Sequence, residues 1–149
     1  MTSTDRTEII DTCTRMMWFV DTRDWTAFPT VFADSVTLDY TSIWGGEPWM
    51  QTPTEITAMW SNLFAGLDAT QHLLGNHLVT VDGDSATYTA SFRAMHGQQD
   101  RGTWTLYGTY RITLTRTGGT WLIDGVYMNW NWEEGDRQII LEAAGSTTP

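Results

Sequence analysis

Four runs between residues 70 and 132 alternate apolar and polar side chains, with turn-forming residues between them. A period of two is the mark of a strand with one buried face. In "TWTLYGTYRITLTRT", Trp104, Leu106, Gly108, Tyr110, Ile112 and Leu114 share one side. Thr105, Tyr107, Thr109, Arg111, Thr113 and Thr115 share the other. "SATYTASFRAMH" repeats the pattern, with Tyr88, Ala90, Phe92, Ala94 and finally His96 on its greasy side. The turns "DGD" and "GG" join neighbours as antiparallel hairpins. A meander of this kind has a greasy face that another layer must cover.

The first half of the chain supplies the cover. Ile9, Ile10, Cys13, Met16, Met17 and Val20 recur at helical spacing, which predicts a helix over 4–21 capped by Thr4 or Ser3. "DWTAFPTVF" predicts a short second helix, limited by Pro29. "DSVTLDY" has strand grammar, and "TSIWGGEPW" reads as a loop. "TPTEITAMWSNLFAGL" is a third helix, with Thr52 as cap, Pro53 at its first position and Glu55 placed for a capping box. Three helices before an antiparallel meander make an α+β fold: a curved, mainly antiparallel sheet closing over N-terminal helices. The 149 residues fit one domain, with about 140–149 as a flexible tail.

Composition removes several function classes. A net charge of −10 with eight Lys and Arg leaves no basic patch for nucleic acid or an anionic membrane. No apolar run approaches the ~18 residues of a membrane span. One cysteine, Cys13, makes no internal disulfide, and no Cys/His spacing suits zinc. No nucleotide or phosphate loop is visible, so neither metal nor cofactor is expected. The polar, acidic N-terminus does not read as a signal peptide, and the expectation is a reduced, cytoplasmic protein.

Few residues can then carry chemistry. His96 ends a greasy strand face just before "GQQDRG", a place suited to the mouth of a pocket. Asp21 lies at the edge of the first helix's apolar stripe, and if buried it needs a partner. His96 is a suitable one, since a carboxylate fixes an imidazole's tautomer and raises its basicity. His72 and His77 are five apart on one strand, so they face opposite sides unless a bulge intervenes. Tyr40 and Tyr110 each bring a hydroxyl to an apolar strand face. Glu133, Glu134 and Asp136 read as a solvated terminus.

The order of elements resembles the nuclear transport factor 2-like superfamily, a cone-shaped α+β barrel, over about residues 5–135. Within it, the match is to SnoaL-like proteins and scytalone dehydratase. "FVDTRDW" is similar to the segment that supplies an aspartate, here Asp21, and "TLDYTS" to one that supplies a tyrosine, here Tyr40. "TQHLLGN" and "AMHGQQ" are similar to the segments of two catalytic histidines, here His72 and His96. In the family the aspartate orients the second histidine, and the pair moves protons without a cofactor. A second tyrosine of the dehydratase is Val20 here, and its strand Ser and Asn are Gly108 and Tyr110. The resemblance implies a dehydratase or cyclase acting on a small hydrophobic oxygenated natural product, a polyketide or prenylated aromatic. An epoxide-opening cyclase or isomerase and a non-catalytic small-ligand module are the alternatives. Trp18, Trp44, Trp49, Tyr88, Phe92, Trp104, Tyr110 and Met128 are the expected pocket walls, and a homodimer or homotrimer the expected assembly.

Overall fold

In the computed structural model, which describes residues 1–146, helix α1 (Ser3–Thr22) leads into a 3-10 turn (Phe28–Val31) and strand β1 (Phe32–Asp39). A helical turn α2 (Thr41–Trp44), strand β2 (Trp49–Gln51) and helix α3 (Pro53–Ala65) follow. Four long strands come next: β3 (Ala69–Asp82), β4 (Ser85–Gln98), β5 (Gly102–Thr117) and β6 (Thr120–Gly135). Helix α4 (Gln138–Ser146) ends the described chain.

Local chemistry explains the helix starts. Thr2, one residue earlier than expected, caps α1 and exchanges hydrogen bonds with Asp5. Thr52 and Glu55 form the same reciprocal box on α3, behind Pro53. The apolar stripe of α1 is buried at Ile9, Cys13, Met16, Met17 and Val20, against β3, β4 and β6. Burial pushes the Cys13 thiol pKa up, which keeps it inert.

The sheet is mixed, with order β2-β1-β6-β5-β4-β3, and it curves without closing. Its meander is antiparallel, and β1 joins β6 in parallel. This is the α+β cone expected from the alternation. Three details differ from expectation. The second helix is only a 3-10 turn, because Pro29 sits at its start. The loop after Tyr40 contains α2 and β2. Residues 140–146 of the expected flexible tail are helical, within Gln138–Ser146, since Ile139, Ile140 and Ala143 bury their side chains. That helix seats close to α3: a Cβ on Gly66 would stand 2.9 Å from Ala143 Cα. Residues 147–149 of the expected tail lie outside the described residues.

A bulge in β3 matters for function. The pairing of β3 with β4 shifts between Gly75 and Leu78, where Asn76 adopts a positive φ of 55°. The extra residue reverses the alternation, so the buried and half-buried positions of one face run Thr70, His72, Leu74 and then His77, Val79, Val81. Both histidines of β3 therefore share the concave face.

Candidate active site

Register places the site. His96 pairs with Thr70 on one side and Trp104 on the other, while His72 pairs with Ala94. The small Ala94 leaves room for an imidazole on the concave face. His72 and His96 thus sit diagonally on adjacent strands, ring centroids 5.6 Å apart and nearly perpendicular.

The end of α1 delivers Asp21 to this place, and it meets His72. Its Oδ1 lies 2.7 Å from His72 Nδ1, and its Oδ2 accepts the His72 backbone N–H at 2.7 Å. Thr70 Oγ1 donates to Oδ1 at 3.0 Å. The expected Asp21–His96 pair is therefore replaced by Asp21–His72, because Thr70 and His72, not His96, face the helix end across the sheet edge. A carboxylate only accepts, so Nδ1 of His72 carries the ring proton and Nε2 is left basic. The pair is shielded, with His72 6% and Asp21 18% exposed in their side chains.

His96 has a different character. Its Nδ1 donates to the Trp104 carbonyl at 3.2 Å, and its ring stacks on Phe64, 6.1 Å away at 7°. Burial, and then the neighbouring His72, push its pKa down from 6.5 to about 3. At neutral pH it is an uncharged ring with Nε2 as an acceptor. His77 goes elsewhere: it stacks on Tyr88 and shares a 3.1 Å hydrogen bond with its hydroxyl.

A cavity of about 250 Å³ opens on these groups. His72, His96, Ala94 and Leu106 form its floor, and Trp44, Trp49, Trp104, Tyr110 and Met128 stand around it. Tyr40 lines it too; its hydroxyl faces that of Tyr110 but makes no hydrogen bond of ordinary geometry. Burial, reinforced by Tyr110, holds the Tyr40 phenol well above its ordinary pKa, so it remains a donor. Burial pushes Tyr110 up to about 12. Three expected walls do not line the cavity. Trp18 is 64% exposed on the outer face of α1. Tyr88 is fully buried beside His77, and Phe92 lies under Tyr110 with ring centroids 4.4 Å apart.

The SnoaL-like domain family matches residues 1–126. The chain belongs to the SnoaL-like family. Among curated proteins no relative matches this SnoaL-like sequence. Kfla4162 from Kribbella flavida superposes with a TM-score of 0.85 at 28% identity, covering 93% of this chain and 97% of that one. A putative aromatic ring hydroxylase from Novosphingobium aromaticivorans gives 0.82 at 27% identity, over 94% and 99%. A putative scytalone dehydratase from the same organism gives 0.77 at 14% identity, over 90% and 89%, which is a likeness of fold.

Some cavity residues of this SnoaL-like protein carried no signal at the level of sequence. Met59, Trp60, Leu63 and Phe64 line it from α3, where their helical spacing reads as ordinary core. Ile140 reaches it from α4, a helix the composition of the tail concealed. Glu133, taken for a solvated terminus, accepts from Trp104 Nε1 at 2.7 Å and pairs with Arg137, fixing one wall. Among the described residues no cluster of His, Cys, Asp and Glu could hold a metal ion, and no helix is long and apolar enough to cross a membrane.

Proposed function

We propose that this protein is an acid–base lyase that eliminates water from a small, uncharged, oxygenated ring compound. The observation that carries the proposal is the Asp21–His72 pair, whose imidazole lines an aromatic cavity while the carboxylate stands behind it. His72 Nε2 takes a proton from carbon, and Asp21 stabilises the imidazolium that forms. The electrons of the broken C–H bond form C=C as the C–O bond breaks. The proton returns from His72 to the departing oxygen, so alkene and water account for every atom. Tyr40 turns its hydroxyl, which makes no well-formed hydrogen bond within the fold, to donate to a substrate oxygen where negative charge develops. His96 is held neutral and accepts a hydrogen bond from a substrate hydroxyl.

Neutral His96 keeps its one proton on Nδ1 against the Trp104 carbonyl and has none on Nε2 to deliver to an epoxide oxygen, which favours elimination over a histidine-driven epoxide opening. The cavity lies below the common ~300–1,000 Å³ range of ligand pockets, and its aromatic walls suit one or two fused rings. Oxygenated aromatics of the polyketide or prenylated kind meet that description. Neighbours of similar fold include the putative scytalone dehydratase and a hexachlorocyclohexane dehydrochlorinase, both named for eliminations.

The test uses cyclic β-hydroxy ketones, alone and fused to an aromatic ring, in D₂O. NMR follows deuterium exchange and alkene formation for wild type and Asp21→Asn. In the variant an amide NH₂ must face either the His72 backbone N–H or its Nδ1. The second choice flips the imidazole to the wrong tautomer, and the rate falls by about 10³–10⁴-fold, as for an analogous change in a catalytic triad. Equal rates for the two proteins on every compound would overturn the proposal.

A further inference from the structure

Behind the proposed base lies a second layer of polar groups. Thr70 Oγ1 accepts from Arg23 Nη1 at 2.8 Å. A hydroxyl has one hydrogen, so the proton of Thr70 is committed to Asp21 Oδ1. Arg23 Nη1 also donates to the Val20 carbonyl at 2.8 Å, while the Arg23 backbone closes α1 in a left-handed conformation with φ 59°. The guanidinium thus grips the same helix end that carries Asp21. It stands 5.5 Å from the centroid of Phe64, the ring on which His96 stacks.

We infer that Arg23 and Thr70 are positioning residues, a relay that fixes the Asp21 carboxylate and tempers the basicity of His72. The inference rests on the proposed role of His72 as the base. Two effects follow from geometry. Oδ1 receives two donors and Oδ2 one, so the carboxylate cannot swing away from the imidazole. Arg23 and Thr70 also draw negative charge away from the side of Asp21 that faces His72. The groups around the pair are Asp21 itself on α1, Arg23 just past the end of that helix and bonded to Thr70, His96 from β4, and the phenols Tyr40 and Tyr110 across the cavity. Helix α3 presents the uncharged ring of Phe64, perpendicular to the imidazole. Arg23 is the one permanent cation in this set.

The test is an NMR titration of the His72 ring signals, with the exchange rate measured beside it. Thr70→Val removes the hydroxyl and keeps the branched strand residue; Arg23→Gln removes the charge and keeps donors. Both are expected to move the His72 midpoint to higher pH, because the imidazolium loses a competitor or a repulsion. Asp21→Asn is expected to move it to lower pH. Thr70→Val should also cut the exchange rate by about 10-fold through misplacement of the base, and Thr70→Ser should restore both readings. If Asp21→Asn lowers the midpoint while Thr70→Val and Arg23→Gln leave it in place, the relay is refuted and the base stands. If Asp21→Asn leaves it unmoved, the reading of His72 itself falls. Should Thr70→Val fail to fold, Arg23→Gln alone decides.

Discussion

Mild acid should weaken this protein through one residue. His96 is neutral in the fold, with its pKa at about 3 against an ordinary value of 6.5. Below pH 6.5 the unfolded chain binds a proton at this ring that the folded chain refuses. Stability therefore rises with pH between about 3 and 6.5, and is lost as pH falls through that window. The slope approaches about 1.4 kcal/mol per pH unit, which integrates to about 2 kcal/mol between pH 7 and pH 5. Paired carboxylates do not confuse the interval. Asp5, Asp39 and Glu133 are held below their ordinary values of 3.8 to 4.5, so their contributions fade only at lower pH. The assay is urea unfolding at pH 7, 6 and 5 for wild type and His96→Gln. Glutamine keeps a donor for the Trp104 carbonyl and does not titrate. The wild type should lose about 2 kcal/mol more than the variant across the series. Parallel losses would mean that His96 accepts a proton inside the fold without penalty, and its role as a neutral acceptor would be wrong.

Two further outcomes follow from single groups. Tyr40→Phe removes a buried hydroxyl that faces only Tyr110 and makes no well-formed hydrogen bond, so stability should change by less than about 1 kcal/mol while turnover falls by about 10²-fold; a larger loss of stability on thermal unfolding would show that the hydroxyl is satisfied within the fold. Gly108→Ser, the residue that the dehydratase resemblance places here, should cost about 3 kcal/mol or prevent folding. A Cβ at Gly108 would lie 2.1 Å from the Asn129 carbonyl oxygen and 2.8 Å from the Phe92 ring, whereas Gly75→Ser meets nothing within 4 Å and serves as the control. Comparable soluble yield and melting temperature for the two serine variants would refute the packing argument.

Sequence alone determined what depends on neighbours along the chain. The period of two in β4 and β5, the apolar stripe of α1 and the Thr52–Glu55 capping box are local chemistry, and they carried the α+β architecture. The same reading singled out Asp21, Tyr40 and His96, since polar groups at the ends of greasy faces are few, whereas the choice of His72 over His77 rested on the resemblance of "TQHLLGN" to a family segment. Pairings across the fold were decided only by the tertiary structure. Asp21 and His72 are 51 residues apart, and their contact depends on how α1 meets the edge strand β3. A one-residue bulge at Asn76 turned His77 to the concave face, where Tyr88 holds it away from the cavity. Helix α4 gained its place from the close approach of Ala143 to Gly66, not from any strong local signal. Strand register and helix docking are long-range closures, and the residues that meet through them leave no periodic trace in the chain. The tertiary structure therefore settled which histidine receives the carboxylate.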